Sequence, residues 1–211
     1  MNNNQLIDDL FYYSEKILSD DEIKIIKDYI LKNENNIKQL GPDNYPGTSK
    51  DSLTGRHAFF NYLHTEHIGE EILLPKLKKI IKQLNYKPPI IIQCWANIFR
   101  NGEGISIHRH GNMRQNFISG NLFISGNTLP GTTYYKGDFK NSTPVDIENK
   151  PGHLNLFPSI NMHGVKENPT TETRISMAVD IIPYTDENHF KKLDLICKNA
   201  PRRYIKLYSL D

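Results

Sequence analysis

The chain of 211 residues carries 26 Lys and Arg against 24 Asp and Glu, with 37% hydrophobic and 24% charged residues. That composition supports an ordinary folded core, and a formal charge of +2 with both signs interspersed gives no electrostatic footprint for nucleic acid or an anionic membrane. The polar start Met1-Asn2-Asn3-Asn4-Gln5, the lack of a long apolar run and the presence of only Cys94 and Cys197 predict a reduced, cytoplasmic protein without signal peptide, membrane span or disulfide framework.

Residues 1–89 read as a helical support region. Ser19-Asp20-Asp21-Glu22 has the form of a capping box, and Ile25, Ile26, Tyr29 and Ile30 recur behind it at helical spacing, predicting a helix over 19–33. Gly41 to Thr54, with two prolines among Gly, Ser, Asp and Asn, reads as a long loop. A second helix is expected from about His67 to Leu84, with Leu73, Leu77, Ile80, Ile81 and Leu84 on one face and Lys76, Lys78, Lys79 and Lys82 mostly on the solvated one. Pro88-Pro89 ends this region.

From Ile90 the pattern shortens to strands over 90–99, 105–110, 117–125, 132–135, 153–157, 160–166 and 173–183, which predicts an antiparallel sandwich or barrel. Residues 90–183 would form the β core and 184–211 a basic C-terminal extension, with Lys191, Lys192, Lys198, Arg202, Arg203 and Lys206, packing as a helix on the barrel. The three parts are expected to make one compact domain.

Within the β region, His108 and His110 stand two apart, so on a strand they share a face while Ile107 and Arg109 point away. His163 follows the apolar Phe157-Pro158-Ser159 turn. Three neutral imidazoles can occupy one face of an octahedral metal ion, and the open face then admits substrate, oxygen or a chelating cosubstrate. His57, His64, His67, His153 and His189 read as surface or hydrogen-bonded core residues. Arg174 lies on a run from Thr173 to Ile182 that sets Ile175, Met177, Val179 and Ile181 on one side and Arg174, Ser176, Ala178 and Asp180 on the other. An arginine inside a barrel mouth calls for an anion; its fork fits a carboxylate, and Ser176 can add a hydroxyl. The alternative is a rim arginine paired with a nearby Asp or Glu.

Taken together, Trp95-x-Asn97, Gly102, His108-x-His110, Ser119-Gly120, Phe157-Pro158-Ser159, His163 and Arg174-x-Ser176 make residues 90–183 similar to the 2-oxoglutarate- and Fe(II)-dependent oxygenases related to prolyl hydroxylases. The resemblance implies a mainly β fold with flanking helices (α+β): a double-stranded β-helix, or jelly roll, with the N-terminal helices packed on its sheet. It implies Fe(II) held by His108, His110 and His163, with 2-oxoglutarate chelating the metal and reaching Arg174 and Ser176 through its far carboxylate. O2 would take the remaining position, and oxidative decarboxylation to succinate would drive C–H oxidation, usually hydroxylation, of an unidentified small molecule or protein side chain.

Two residues depart from that pattern. His110 stands where most relatives place Asp or Glu, which raises the net charge of the site by one. Phe99 replaces the tyrosine of a Tyr-x-x-Gly motif, and Asn97 on the same strand face is the candidate to supply the missing hydrogen bond. Ser119 and Asn121 are weaker pocket candidates, and the loop 126–150, with Tyr134 and Tyr135, is a candidate lid. A cupin-type three-histidine enzyme, a thiol dioxygenase or isomerase, is one rival: Gly102 and His108-x-His110 match the start of its motif, but Arg114 or Gln115 stands where its glutamate belongs. A non-catalytic jelly-roll binding module is the other, and the retained histidines and arginine argue against it.

Overall fold

A computed structural model of the chain describes residues 10–11, 13–40, 53–110, 117–135, 142–184, 187–199 and 201–211. Along them run β1 (Tyr13–Lys16), α1 (Asp20–Lys38), α2 (Leu74–Gln83), β2 (Ile90–Phe99), β3 (Ile105–His108), β4 (Ile118–Ser125) and β5 (Thr132–Tyr135). There follow β6 (Val145–Ile147), β7 (His153–Pro158), β8 (Met162–Val165), β9 (Arg174–Pro183), α3 (Glu187–Asn199) and β10 (Ile205–Leu207). The expected loop from Gly41 to Thr54 lies outside the described residues except for Leu53 and Thr54, which open a short 3-10 turn, Leu53–Arg56.

The capping box at the start of α1 forms as its residues spell it: Ser19 Oγ accepts from the Glu22 amide at 3.2 Å, and the Glu22 carboxylate accepts from the Ser19 amide at 2.8 Å. The helix runs on to Lys38, past its expected end at 33, because Ile37 reaches the core and the buried Glu34 is met by Lys38 at 2.6 Å and Arg100 at 2.8 Å. The second helical segment begins as a π-helix, Glu66–Leu73, before becoming α2. Its widened turn brings Gly69 against the preceding chain, where a Cβ would stand 2.4 Å from the Leu63 carbonyl oxygen. Of the lysines assigned to the solvated face, Lys76 reaches back to Glu22 at 3.0 Å.

Among the described residues the strands form two antiparallel sheets, in the orders β1-β7-β4-β9-β2-β10 and β3-β8-β5-β6, which do not close into a barrel. This is a jelly roll of mainly β character with helices against it. β1, β6 and β10, each three or four residues long, lie outside the strands read from the sequence. The C-terminal extension is a helix followed by a strand on β2, where a helix alone was expected.

The two faces of the six-stranded sheet do different work. One carries Ile92, Cys94, Ala96 and Ile98 of β2, Leu154 and Leu156 of β7, and Ile175, Met177, Val179 and Ile181 of β9. These pack with Ile26, Ile30, Leu77, Ile80 and Ile81 of the helices into the main apolar core. The opposite face carries Gln93, Trp95, Asn97, Ser119, Asn121, Arg174, Ser176 and Asp180, polar groups held between the sheets. No helix among the described residues is long and apolar enough to cross a membrane.

Candidate metal centre

Antiparallel pairing of β3 and β8 sets His108 directly opposite His163. His110 was expected on the same strand, but β3 ends at His108. A register irregularity between Ile105 and His108 and the turn at Ser159 end the ladder; the Ser159 carbonyl accepts from the His110 amide at 3.0 Å. The turn before His163 thus fixes His110 as well, and one ring nitrogen from each of His108, His110 and His163 lies within 4.8 Å of the others. The ring centroids are 4.4 Å apart for His108 and His163, 5.1 Å for His110 and His163, and 5.4 Å for His108 and His110.

Each imidazole is oriented through Nδ1. His108 donates to the Ser106 carbonyl at 2.8 Å, His163 to the Asn161 carbonyl at 3.2 Å, and His110 to Asp180 Oδ1 at 2.7 Å. This pattern leaves Nε2 as the nitrogen available to a metal on all three rings, a donor set that would suit a borderline ion such as Fe(II) or Zn(II). Burial drives the protonation of His108 down to about 4, with His110 adding to the effect, and pushes His163 well below its ordinary range. Both rings therefore stay neutral near pH 7, as ligands must.

At His110 burial opposes the charged ring, but the Asp180 carboxylate outweighs it and raises the pKa. Burial likewise opposes ionisation of Asp180, and the His110 ring with hydrogen bonds from His110, Gln93 and Ser119 holds its pKa below the usual carboxylate value. Gln93 Nε2 donates to Oδ2 at 2.9 Å and Ser119 Oγ to Oδ1 at 2.8 Å. Asp180 lies on β9, on the same inward-facing side as Arg174 and Ser176, and meets His110 there. The sequence carries no signal for its contact with His110, which depends on the register of β4 and β9.

Arg174 is 1% exposed. Its Nη1 donates to the Pro130 carbonyl at 2.9 Å, its Nη2 lies 3.1 Å from Thr132 Oγ1, and its buried Nε has no hydrogen-bond partner. Among the described residues no carboxylate lies within ion-pair distance, so the rim-pair alternative finds no support there. Burial lowers its pKa to about 10. The guanidinium is thus surrounded by neutral groups, with one buried donor unspent.

Ser176 stands between Asn97 on β2 and Phe123 on β4, all in register across the sheet. The Asn97 side-chain oxygen accepts from the Thr54 hydroxyl, which leaves the amide nitrogen as the group that can donate. Phe99 is fully buried. Tyr134 corrects the lid expectation: it is a fully buried residue of β5 whose ring stacks on His163 at 6.0 Å, and burial pushes its hydroxyl up to about 12. Residues 136–141 of that loop lie outside the described residues, as do Arg114 and Gln115. Trp95 packs on His110 at 5.5 Å and on His57 at 5.4 Å, so His57, read as an ordinary histidine, belongs to the wall of the site.

Fold and cluster together describe a jelly-roll protein with three imidazoles that could hold a metal ion. Residues 127–180, from the end of β4 into β9, match the model of the family described as "Putative 2OG-Fe(II) oxygenase". Over that stretch the chain is similar to 2-oxoglutarate- and Fe(II)-dependent oxygenases, an enzyme class that uses Fe(II), 2-oxoglutarate and O2, and its three-imidazole cluster could hold such a metal. No curated protein matches it in sequence.

Several solved structures share its fold. A Pseudomonas putida prolyl-4-hydroxylase superposes with a TM-score of 0.56 at 13% identity, over 86% of this chain and 98% of its own. The viral collagen prolyl hydroxylase from Paramecium Bursaria Chlorella virus-1, solved as its 2OG complex, gives 0.55 at 14% identity over 85% and 99%. The non-heme alpha ketoglutarate dependent carbocyclase SnoK from nogalamycin biosynthesis gives 0.64 at 9% identity over 91% of each chain. At these identities the likeness is one of fold.

Proposed function

We propose that the chain is a hydroxylase in which His108, His110 and His163 hold Fe(II) through Nε2 while Arg174 and Ser176 hold the far carboxylate of 2-oxoglutarate. The observation that carries this reading is the buried guanidinium of Arg174 on β9, with an unpartnered Nε and no carboxylate within ion-pair distance among the described residues, together with a cluster of three oriented imidazoles carried by β3, β8 and the residues after β3 on the other sheet. Fe(II) with 2-oxoglutarate and O2 supplies oxidative decarboxylation to succinate and CO2 and, from it, oxidation of a substrate C–H bond.

The chain's own residues select, orient and exclude. The low proton affinity of His108 and His163 keeps their lone pairs available for the metal. Arg174 and Ser176 would fix one end of the cosubstrate by charge and hydrogen bonding, and Asn97 would donate to it from the neighbouring strand in place of the hydroxyl missing at Phe99. Trp95 and Phe157, which pack on His110 and His163 respectively, exclude water from that side of the cluster. The cupin-type reading names no anion for the Arg174 guanidinium, whose partners in the fold are neutral.

Anaerobic titration of the Fe(II)-loaded protein with 2-oxoglutarate should produce a visible metal-to-ligand charge-transfer band, and aerobic turnover should release succinate. Arg174→Ala should weaken 2-oxoglutarate binding by roughly 30-fold or more with metal content unchanged, the cost of leaving a carboxylate without its charged partner. His163→Ala should lower the metal content itself. Absence of the band, or equal metal loss in the two variants, contradicts the assignment.

A further inference from the structure

We propose that Asp180 is the positioning partner of His110, so that the negative charge most relatives place at position 110 is kept here one hydrogen bond further out. The inference rests on the reading of His110 as a metal ligand and extends it to a residue that neither the sequence motifs nor the family match assigns.

Asp180 is 4% exposed and sits on β9 facing the inner side of the sheet. Its carboxylate receives His110 Nδ1 at 2.7 Å, Ser119 Oγ at 2.8 Å and Gln93 Nε2 at 2.9 Å. Each of these partners is a donor. Among the described residues no lysine or arginine lies within ion-pair distance of it; the contact of that kind is His110. A carboxylate so thoroughly buried is strongly disfavoured unless a positive charge sits close by. Apart from the ring itself, the candidate for that charge is a cation bound at Nε2 of His110, the nitrogen that Asp180 leaves free.

The arrangement has two consequences for a metal. Accepting from Nδ1 fixes the tautomer and the ring plane, so that the Nε2 lone pair faces the other two imidazoles. It also enriches that lone pair, as a carboxylate behind an imidazole does. Three neutral imidazoles and one carboxylate carry a net charge of −1, equal to that of two imidazoles and a directly bound carboxylate. The change of one charge inferred from His110 alone is thereby cancelled. Support for Asp180 extends further: Gln93 Oε1 accepts from Arg203 Nε at 3.3 Å, which ties the C-terminal segment to the centre.

The test is a double-mutant cycle read by Co(II) affinity and Co(II) d–d absorption without 2-oxoglutarate, so that neither turnover nor cosubstrate enters. Asp180→Asn, nearly isosteric, should weaken Co(II) binding by roughly 10- to 100-fold and shift the d–d bands, while Asp180→Glu should restore part of the affinity. In a His110→Ala background the same Asp180→Asn change should add less than roughly twofold, because the route from carboxylate to metal has been removed. Gln93→Leu, which strips one donor from the carboxylate and avoids any charge change, gives the same cycle on a second variant and should weaken Co(II) only when His110 is present. Wild-type affinity in Asp180→Asn, or equal losses in both backgrounds, overturns the role of Asp180. Wild-type affinity and bands in His110→Ala overturn the assignment of His110 as a ligand, and this inference with it.

Discussion

His108 and His163 are held neutral by burial, and His110 is held toward its charged form by Asp180; the two effects pull the pH dependence of the metal-free protein in opposite directions. An unfolded imidazole titrates near ~6.5, whereas His108 in the fold titrates at about 4. Between those values the unfolded chain binds more protons than the folded one, so stability falls as pH drops through that window and levels off below it. The contribution of His110 has the other sign: it is present below ~6.5 and fades as pH rises through the raised folded value. Urea unfolding of the metal-free protein should therefore show its highest midpoint near neutrality, and an unchanged midpoint from pH 6.5 down to 4 would contradict neutral burial of His108 and His163. At this scale the sequence disclosed the residues whose identity alone carries chemistry, the three imidazoles and the alternation that turns Arg174 inward. Asp180, Gln93 and Ser119 stayed silent because their meaning lies in which strands neighbour one another, and no local pattern encodes that.

Between β4 and β5 the chain passes Gly126 at φ +110, a backbone conformation that L side chains rarely adopt. A Cβ there would lie 2.5 Å from Arg174 Cα and 2.9 Å from the Thr173 carbonyl oxygen, at the start of β9. Gly126→Ala should cost about 1–3 kcal/mol through the backbone conformation alone. It should also displace Arg174, so calorimetry should show a lower Tm and titration a weaker affinity for 2-oxoglutarate, with Co(II) binding close to wild type. Loss of Co(II) affinity of the same size would mean that the two halves of the site do not move separately. Among the elements, the long strands were legible because β2, β4 and β9 alternate core and pocket residues over eight to ten positions. The end of α1 was not, since Glu34 is an inward charge made tolerable by Arg100, which lies just past the end of β2 and far away in sequence. The π-helical start of the second helix was equally hidden, because Gly69 records a close approach to Leu63 rather than a break in periodicity.

Across the whole molecule, the pairing that sets His108 opposite His163 and the sheet order that brings Asp180 beneath His110 are long-range products of a jelly roll. The apolar core lies on the far side of the six-stranded sheet, so the polar interior between the sheets is free of the main packing requirement. The outer flank of β2 is covered piecemeal. β10 pairs with Ile90, Ile91 and Ile92, and the buried Asn61 side chain then stands in for a strand, accepting from the Cys94 amide at 3.0 Å and donating to the Ile92 carbonyl at 3.4 Å. Removal of residues 201–211 would take away the buried Tyr204 and Leu207 and should cost about 3 kcal/mol or more, the usual scale for emptying buried apolar positions. It would also unseat Gln93, so Co(II) affinity should fall alongside Tm; an unchanged Tm would show that β10 is peripheral. The short closing strand has a colloidal consequence too. Stripped of it, β2 would offer the end of a long, apolar strand as a template for a second chain, and light scattering of the truncated protein on concentration should register self-association that residues 201–211 prevent.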